Sequence, residues 1–487
     1  MKQIGEWALA AATARGATLA EARIVHERTR QLGTRNGRVS VAGEGESIGL
    51  GVRVLCHGGW GFAATQELTR EGVERCAALA VEIARASAGV QREPVRLLPE
   101  PAAVAEWSSP CRIDPFAVPV EESLELLRKI DRTLTAVEGV TLAEAGMSFR
   151  RHEQWFYSSE GADIHQTRVT TGAGFAAHAF EGDSIQTRSY PNSFGGQHQN
   201  KGYELVHELQ LLANAERVAR ECVELLKAPQ CPEGRRDLIL DGSQLGLQIH
   251  ESIGHPIELD RVLGYEANFA GTSFLTLDKL HNLQYGSELV NVVADARPEH
   301  GPGLGTYAYD DEGVAAQQVP IITAGRFEGY LSSRDTAARI GRARSGGHLR
   351  AENWLRVPIV RMSNVSILPS EKPMSFADLV ASTDDGIYMQ TNRSWSIDDK
   401  RYNFQFGCEA AWEIKGGKLG RMLRNPSYSG ITTEFWNSME AICDRREWTL
   451  WGTPNCGKGQ PEQGMGTGHG AAPARFKQVK IGGAYGE

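Results

Sequence analysis

The segment "KAPQCPEGRRD", residues 227–237, places the sharpest constraint on the fold. Its two prolines and one glycine end any helix that reaches it and leave the chain extended. Before it, Leu205, Leu209, Leu212, Ala219, Cys222 and Leu226 form a helical stripe, predicting one long helix from about Tyr203 to Lys227. After it, short runs such as "RDLILDG", "IITAGRFEGYLSS", "VRMSNVSIL" and "AAWEIKGGKLGRML" predict strands and turns. A chain of 487 residues is also too long for one compact core. The predicted architecture is therefore α+β in two domains. Residues 1–230 form an α/β domain with a mixed or antiparallel sheet and flanking helices; residues 231–487 form a β-rich, mostly antiparallel domain.

The N-terminal half carries its own signals. "MKQIGEWALAAATARGA" repeats Ile4, Ala8 and Ala11 on one helical face and stops at Gly16, while Glu6 and Arg15 break the apolar run a signal peptide needs. Asn36-Gly37 tolerates positive φ at both central turn positions and predicts a hairpin. Helices follow in "TREGVERCAALAVEIARAS" and in "VEESLELLRKIDRTLTAV", where Leu124, Leu127, Ile130 and Leu134 share a face. "SSEGAD" and "FEGDSI" read as turns between meandering strands.

Charge and cysteine usage exclude several function classes. The net charge of −8, from 52 basic and 60 acidic residues, is spread without a basic stripe, so nucleic acid is not a predicted partner. No apolar run reaches the length of about 18 residues that a membrane span requires. Eight cysteines without a CxxC pair fit reduced thiols, which predicts a cytoplasmic protein.

Chemistry enters at "LQIHESIGHPIELD". Of thirteen histidines, His26, His152, His207 and His250 precede a glutamate, and only His250 is followed five positions on by a second histidine, His255. Leu245, Ile249 and Ile253 supply a buried stripe, and Ser243 after the strand-like "DLILD" is placed to cap a short helix. On a regular α-helix, at about 100° per residue, His250 and His255 would stand roughly 140° apart and could not share an ion. A π-type turn, which holds one extra residue, brings positions i and i+5 together; Gly254 eases that distortion and Pro256 discourages further helix. Zinc on three protein ligands keeps an open position and acidifies water, and a carboxylate beside it, Glu251, can take up the proton and deliver it to a leaving amine.

The third ligand has several candidates: Glu258, Asp260 and Glu266 nearby, Cys456 and His469 far along the chain. Cys456 lies in "WGTPNCGKGQPEQGMGTGHGAAPARF", whose glycines predict a tethered loop before a terminal strand, "ARFKQVKIGG". Cys56-His57 reads as a strand end, His207-Glu208 as a solvated pair, and Asp310, Asp311 and Glu312 as an acidic turn without cation-binding spacing.

"HESIGH" together with "NCGKGQPEQGMGTGHGAAPARF" resembles the TldD/PmbA family of zinc metallopeptidases. "RNGRV", "GVRVL", "WGFAAT", "YDDEGV" and "GRFEGYL" extend the resemblance along nearly the whole chain. The HExxxH form is that of TldD-type subunits; PmbA (TldE-like) partners lack it. The resemblance implies zinc held by His250, His255 and Cys456, with Glu251 as catalytic base. It further implies an α/β N-terminal domain, a β-rich C-terminal domain carrying the metal-site helix, and a homodimer or a heterodimer with a paralogous PmbA/TldE-like subunit. The substrates implied are unfolded or extended peptides, bound through their backbone as an added strand inside the dimer cavity. Pro256 departs from the family pattern, which has glycine there. Two other readings use the same residues: a deformylase-like zinc amidohydrolase, and a non-catalytic peptide-binding subunit with a structural metal, which would have no need of Glu251.

Overall fold

Asn36 and Gly37 both take positive φ, 47° and 77°, the twist a two-residue hairpin demands. They join β1 (Leu19–Arg35) to β2 (Arg38–Cys56) in a computed structural model that describes residues 1–269 and 271–482. The N-terminal region comprises α1 (Lys2–Thr13), β1, β2, β3 (Gly59–Thr65), α2 (Arg70–Ala88), β4 (Val104–Ser108), α3 (Val120–Thr135), β5 (Val140–Ser158) and β6 (Asp163–Glu181). Strands β3, β2, β1, β5 and β6 run antiparallel in that order, and β4 joins β6 in parallel. Two further strands, β7 (Ser184–Tyr190) and β8 (Gln197–Gln199), also pair with β6.

One face of these long strands is apolar and carries the helices. Ala22, Ile24 and Tyr157 pack with α1 and α2, while Leu32, Met147 and Phe149 pack with α3 and the helical segment that follows β8. The opposite face is polar. Glu27, His152 and Arg168 stand in one cross-strand row over β1, β5 and β6. The C-terminal region covers that face through bonds such as Gln154 Nε2 to Asp311 Oδ1 (2.8 Å) and Arg150 to the Glu352 carbonyl (2.9 Å).

The long helix predicted from about Tyr203 to Lys227 is two helices, α4 (Glu204–Glu208) and α5 (Leu211–Lys227). Gln210 between them is left-handed (φ 47°), which rotates the second helix out of phase with the first. Its buried stripe is therefore Leu211, Ala215, Val218, Ala219, Cys222 and Leu225, and Leu212 faces outward.

The C-terminal region begins with β9 (Gly234–Leu240), whose apolar residues lie between the parallel strand Asp385–Ile397 and the antiparallel strand Ala474–Ile481. Pairing continues through Ser427–Ile431 and Asn403–Lys415 and returns to Asp385–Ile397, so five strands close into a ring. Closure removes the unpaired edges an open sheet would expose. The fold is α+β with a β-rich C-terminal half, as the alternation of the sequence predicts. The glycine-rich segment predicted as a loop is instead a hairpin, Thr449–Lys458 paired with Gln463–Ala471. Its glycines are demanded by packing: a Cβ at Gly452, Gly468 or Gly470 would overlap the His198 carbonyl, the Asn364 amide or the Trp448 ring.

Candidate metal centre

β9 hands directly into α6 (Gly242–Ile249). The cap is Asp241, whose carboxylate accepts from the backbone N–H of Ser243 and Gln244; Ser243, the predicted cap, donates its hydroxyl to the same carboxylate. Leu245, Ile249 and Ile253 are fully buried and pin one side of the helix to the core. On its back, Gln244 donates to the Tyr428 hydroxyl, Tyr428 donates to Gln248, and Ser252 takes up both the Gln248 amide and the Trp436 indole N–H.

At His250 the helix widens. The backbone N–H of His255 donates to the His250 carbonyl (3.1 Å), closing a π turn over His250–Gly254. This is the distortion the five-residue spacing requires. Glycine at 254 leaves room for the Met362 side chain, whose Sδ a Cβ there would overlap. The Tyr285 hydroxyl donates to the Ser252 carbonyl, and the backbone beyond Pro256 turns back, with the Pro256 carbonyl accepting from Ser273. As a result the two imidazoles lie edge to face with centroids 4.8 Å apart. The hairpin brings in Cys456, whose Sγ is 3.6 Å from His255 Nε2. Ligand atoms from His250, His255 and Cys456 all lie within 4.8 Å of one another, and all three residues are buried.

Hydrogen bonds around the trio fix the tautomers. His469 Nδ1 lies 3.0 Å from the Val365 carbonyl, which can only accept, so that nitrogen carries the proton and Nε2 is bare. His469 Nε2 is 2.7 Å from His250 Nδ1, which must therefore donate. Burial holds His250 and His469 below the ordinary imidazole range, consistent with neutral rings. His255 Nδ1 donates to Glu258 (3.0 Å). Both histidines are left with an unprotonated Nε2. Burial pushes the Cys456 thiol up, but His255 and Arg361 outweigh it and set it below its usual value. Two imidazole lone pairs and a thiol inclined to ionise make a donor set that fits a borderline-soft divalent ion.

The competing carboxylates are committed elsewhere. Glu258 is fully buried beside Lys458 (3.6 Å) and Arg261 (3.5 Å); burial raises its carboxyl, but Lys458 and His255 outweigh it and hold it well below the usual range. Asp260 accepts two bonds from Lys458 Nζ, at 2.7 and 2.8 Å, and Glu266 accepts from the Gly459 backbone N–H. Glu251, on the turn itself, receives a 2.6 Å bond from Arg401 Nη1. Arg401 has left-handed backbone (φ 64°) in the tight connection between two ring strands. Arg401, Lys458 and the orienting contact of His469 give no sequence signal; each bond spans at least 150 residues.

The remaining candidates take structural places. Cys56 ends a strand and His57 follows it in a left-handed turn, while His207 and Glu208 are exposed on α4. The acidic turn Asp310–Glu312 is buried rather than solvated, because it is wedged between the two halves of the chain. Asp310 accepts from three backbone N–H groups, Asp311 from Gln154 and Ala351, and Glu312 from Arg334. Among the described residues no helix is long and apolar enough to cross a membrane.

Comparison with known proteins agrees over the whole length. Residues 20–84, 113–228 and 233–483 match models of the PmbA/TldA metallopeptidase domain 1, central domain and C-terminal domain. A metalloprotease of Methanocaldococcus jannaschii is 30% identical over 93% of this chain and 94% of its own length. A zinc metalloprotease TldD homolog of Saccharolobus solfataricus is 24% identical over 82% of this chain and 83% of its own. The solved structure of TldE from Thermococcus kodakarensis has the same fold, with a TM-score of 0.71 at 16% identity, covering 99% of this chain and 100% of its own.

Proposed function

Because the chain belongs to the PmbA/TldD metallopeptidase family, we propose that it is a zinc-dependent peptidase in which His250, His255 and Cys456 hold the ion and Glu251 is the general base. The observation that carries this reading is the π turn. It costs the helix regular geometry, and its effect is to bring both imidazoles beside the thiol of the hairpin, with Glu251 on the same turn. Zinc bound there supplies a Lewis acid that lowers the pKa of water toward neutrality. The Glu251 carboxylate takes the proton of the attacking water and passes it to the departing amine, and Arg401 steadies that carboxylate. His469 and Glu258 fix the imidazole planes.

The substrates of this reading are unfolded or extended peptides, held by backbone hydrogen bonds in a dimer cavity, with either a second copy or a paralogous TldE-like chain as partner, in the cytoplasm. The test is digestion of a long unstructured peptide by the zinc-loaded protein, followed by mass spectrometry, beside Glu251→Ala with its zinc content measured. Internal fragments should form roughly 10²–10⁴-fold more slowly with the variant while zinc is retained. If parent and variant both hold zinc and neither cleaves in the presence of a TldE-like partner, the reading is wrong and a binding subunit takes its place.

A further inference from the structure

Between the polar face of the N-terminal sheet and the C-terminal region lies a cavity of about 290 Å³. Its floor includes the row Glu27, His152 and Arg168, with Arg150 one row on, and its far wall includes Asp311 and Arg350. Pro454 and Met465 close one side, and Met465 stands directly across the hairpin from Cys456. None of His250, Glu251, His255 and Cys456 lines the cavity. It is a separate space that shares a wall with the candidate metal centre.

Three guanidinium groups line it, and their partners differ. Arg150 donates to the Glu27 carboxylate (2.7 Å) and to the Glu352 carbonyl (2.9 Å). Arg350 donates to the carbonyls of Met362 (2.6 Å), Gly466 (3.1 Å) and Leu304 (3.3 Å). The Arg168 guanidinium makes no hydrogen bond and no ion pair among the described residues. The two acids that act on it, Asp311 and Glu27, are already committed. Burial pushes Glu27 up, but His152 and Arg150 outweigh it and bring the carboxyl down to about 2. Asp311 accepts from Gln154 (2.8 Å) and the Ala351 N–H (2.6 Å), with Arg23 3.6 Å away. Burial opposes the charge on Arg168 and outweighs the attraction of Asp311, which Arg150 in turn diminishes. A half-buried cation with no directly bonded counter-ion is left short of partners in the free protein, and the guanidinium fork matches a carboxylate in shape as well as in charge.

We propose that Arg168 anchors a carboxylate subsite, in which an anionic group of the peptide substrate, either its terminal carboxylate or an acidic side chain, docks beside the metal centre. This rests on the peptidase reading above, and the test separates the two. One peptide is prepared as the free acid, as the C-terminal amide, and as the amide with an internal glutamate. Each form is titrated by calorimetry into zinc-loaded Glu251→Gln protein, and into the same protein carrying Arg168→Gln or Arg168→Lys. Cleavage of all three by the parent protein is followed in parallel.

The form that bears the recognised carboxylate should bind roughly 10- to 100-fold tighter than the plain amide. A tight free acid identifies the terminal group, and a tight glutamate-bearing amide identifies the side chain. The gap should collapse toward unity with Arg168→Gln and persist in part with Arg168→Lys. Equal affinity for all forms, absence of binding by any form, or a gap that survives Arg168→Gln overturns the proposal. A parent that discriminates without cleaving keeps the subsite and removes the peptidase reading; one that cleaves every form without discriminating does the reverse.

Discussion

The candidate metal centre and the cavity behind it share one hairpin, yet their polar groups are wired in opposite senses. At the centre every Nδ1 proton has an acceptor, and Glu251, Glu258 and Asp260 each have a cation, so what is left over is lone pairs: two Nε2 atoms and a sulfur. In the cavity Glu27, Asp310 and Asp311 have their donors, and the guanidinium left without a hydrogen bond among the described residues is that of Arg168. The first arrangement is a mould for a cation and the second a mould for an anion. The difference shows that the unmet valence of a buried site, rather than the number of its charges, says what it takes up.

The comparison can be broken most forcefully at Lys458, the ammonium that lies between Glu258 and Asp260. Lys458→Met leaves two buried acids short of a cation and should lower the unfolding free energy by about 3–5 kcal/mol, read from urea denaturation. A loss under 1 kcal/mol would show that Arg261 alone holds Glu258 and that the wiring of the centre is looser than drawn. Next comes His469→Ala, which strips His250 of its acceptor. Zinc affinity, measured by competition with a chelator, should fall about 10- to 100-fold with the fold unchanged in circular dichroism. Unaltered affinity would mean that Thr467, 3.4 Å from His250 Nδ1, suffices.

A pH effect sharpens the other side. Burial holds His198, on the cavity wall, down to about 4 from an ordinary 6.5. A group that binds its proton less readily when folded stabilises fully above 6.5, and that contribution is lost as pH falls through 4. Stability should therefore decline between those values, and His198→Gln should flatten the slope. An unchanged slope would place the acid sensitivity elsewhere.

Much of the centre was legible because rotation per residue is a hard constraint: a five-residue interval between paired ligands forces a π turn, and Gly254 and Pro256 stand where that turn needs them. The hairpin at Asn36-Gly37 was legible for the same local reason. Cys456 was one of several ligand candidates by chemistry, singled out by the family resemblance, and the structure adds that Glu258, Asp260 and Glu266 are engaged elsewhere. Long-range facts were not readable. The left-handed Gln210 carries no glycine to announce it, and the strand that closes the ring pairs across gaps in the chain. The glycine-rich hairpin reads as a loop by composition, since glycine required by close approach looks the same as glycine required for flexibility.

The separation of Cys456 from His255 by 201 positions has a consequence for biosynthesis. A ribosome that has translated the HESIGH helix has made a chain that still lacks Cys456 and the His469 partner of His250. Both arrive together on a hairpin about two hundred codons later. On the proposed assignment, a peptidase assembled in this order completes its metal centre only when the hairpin emerges.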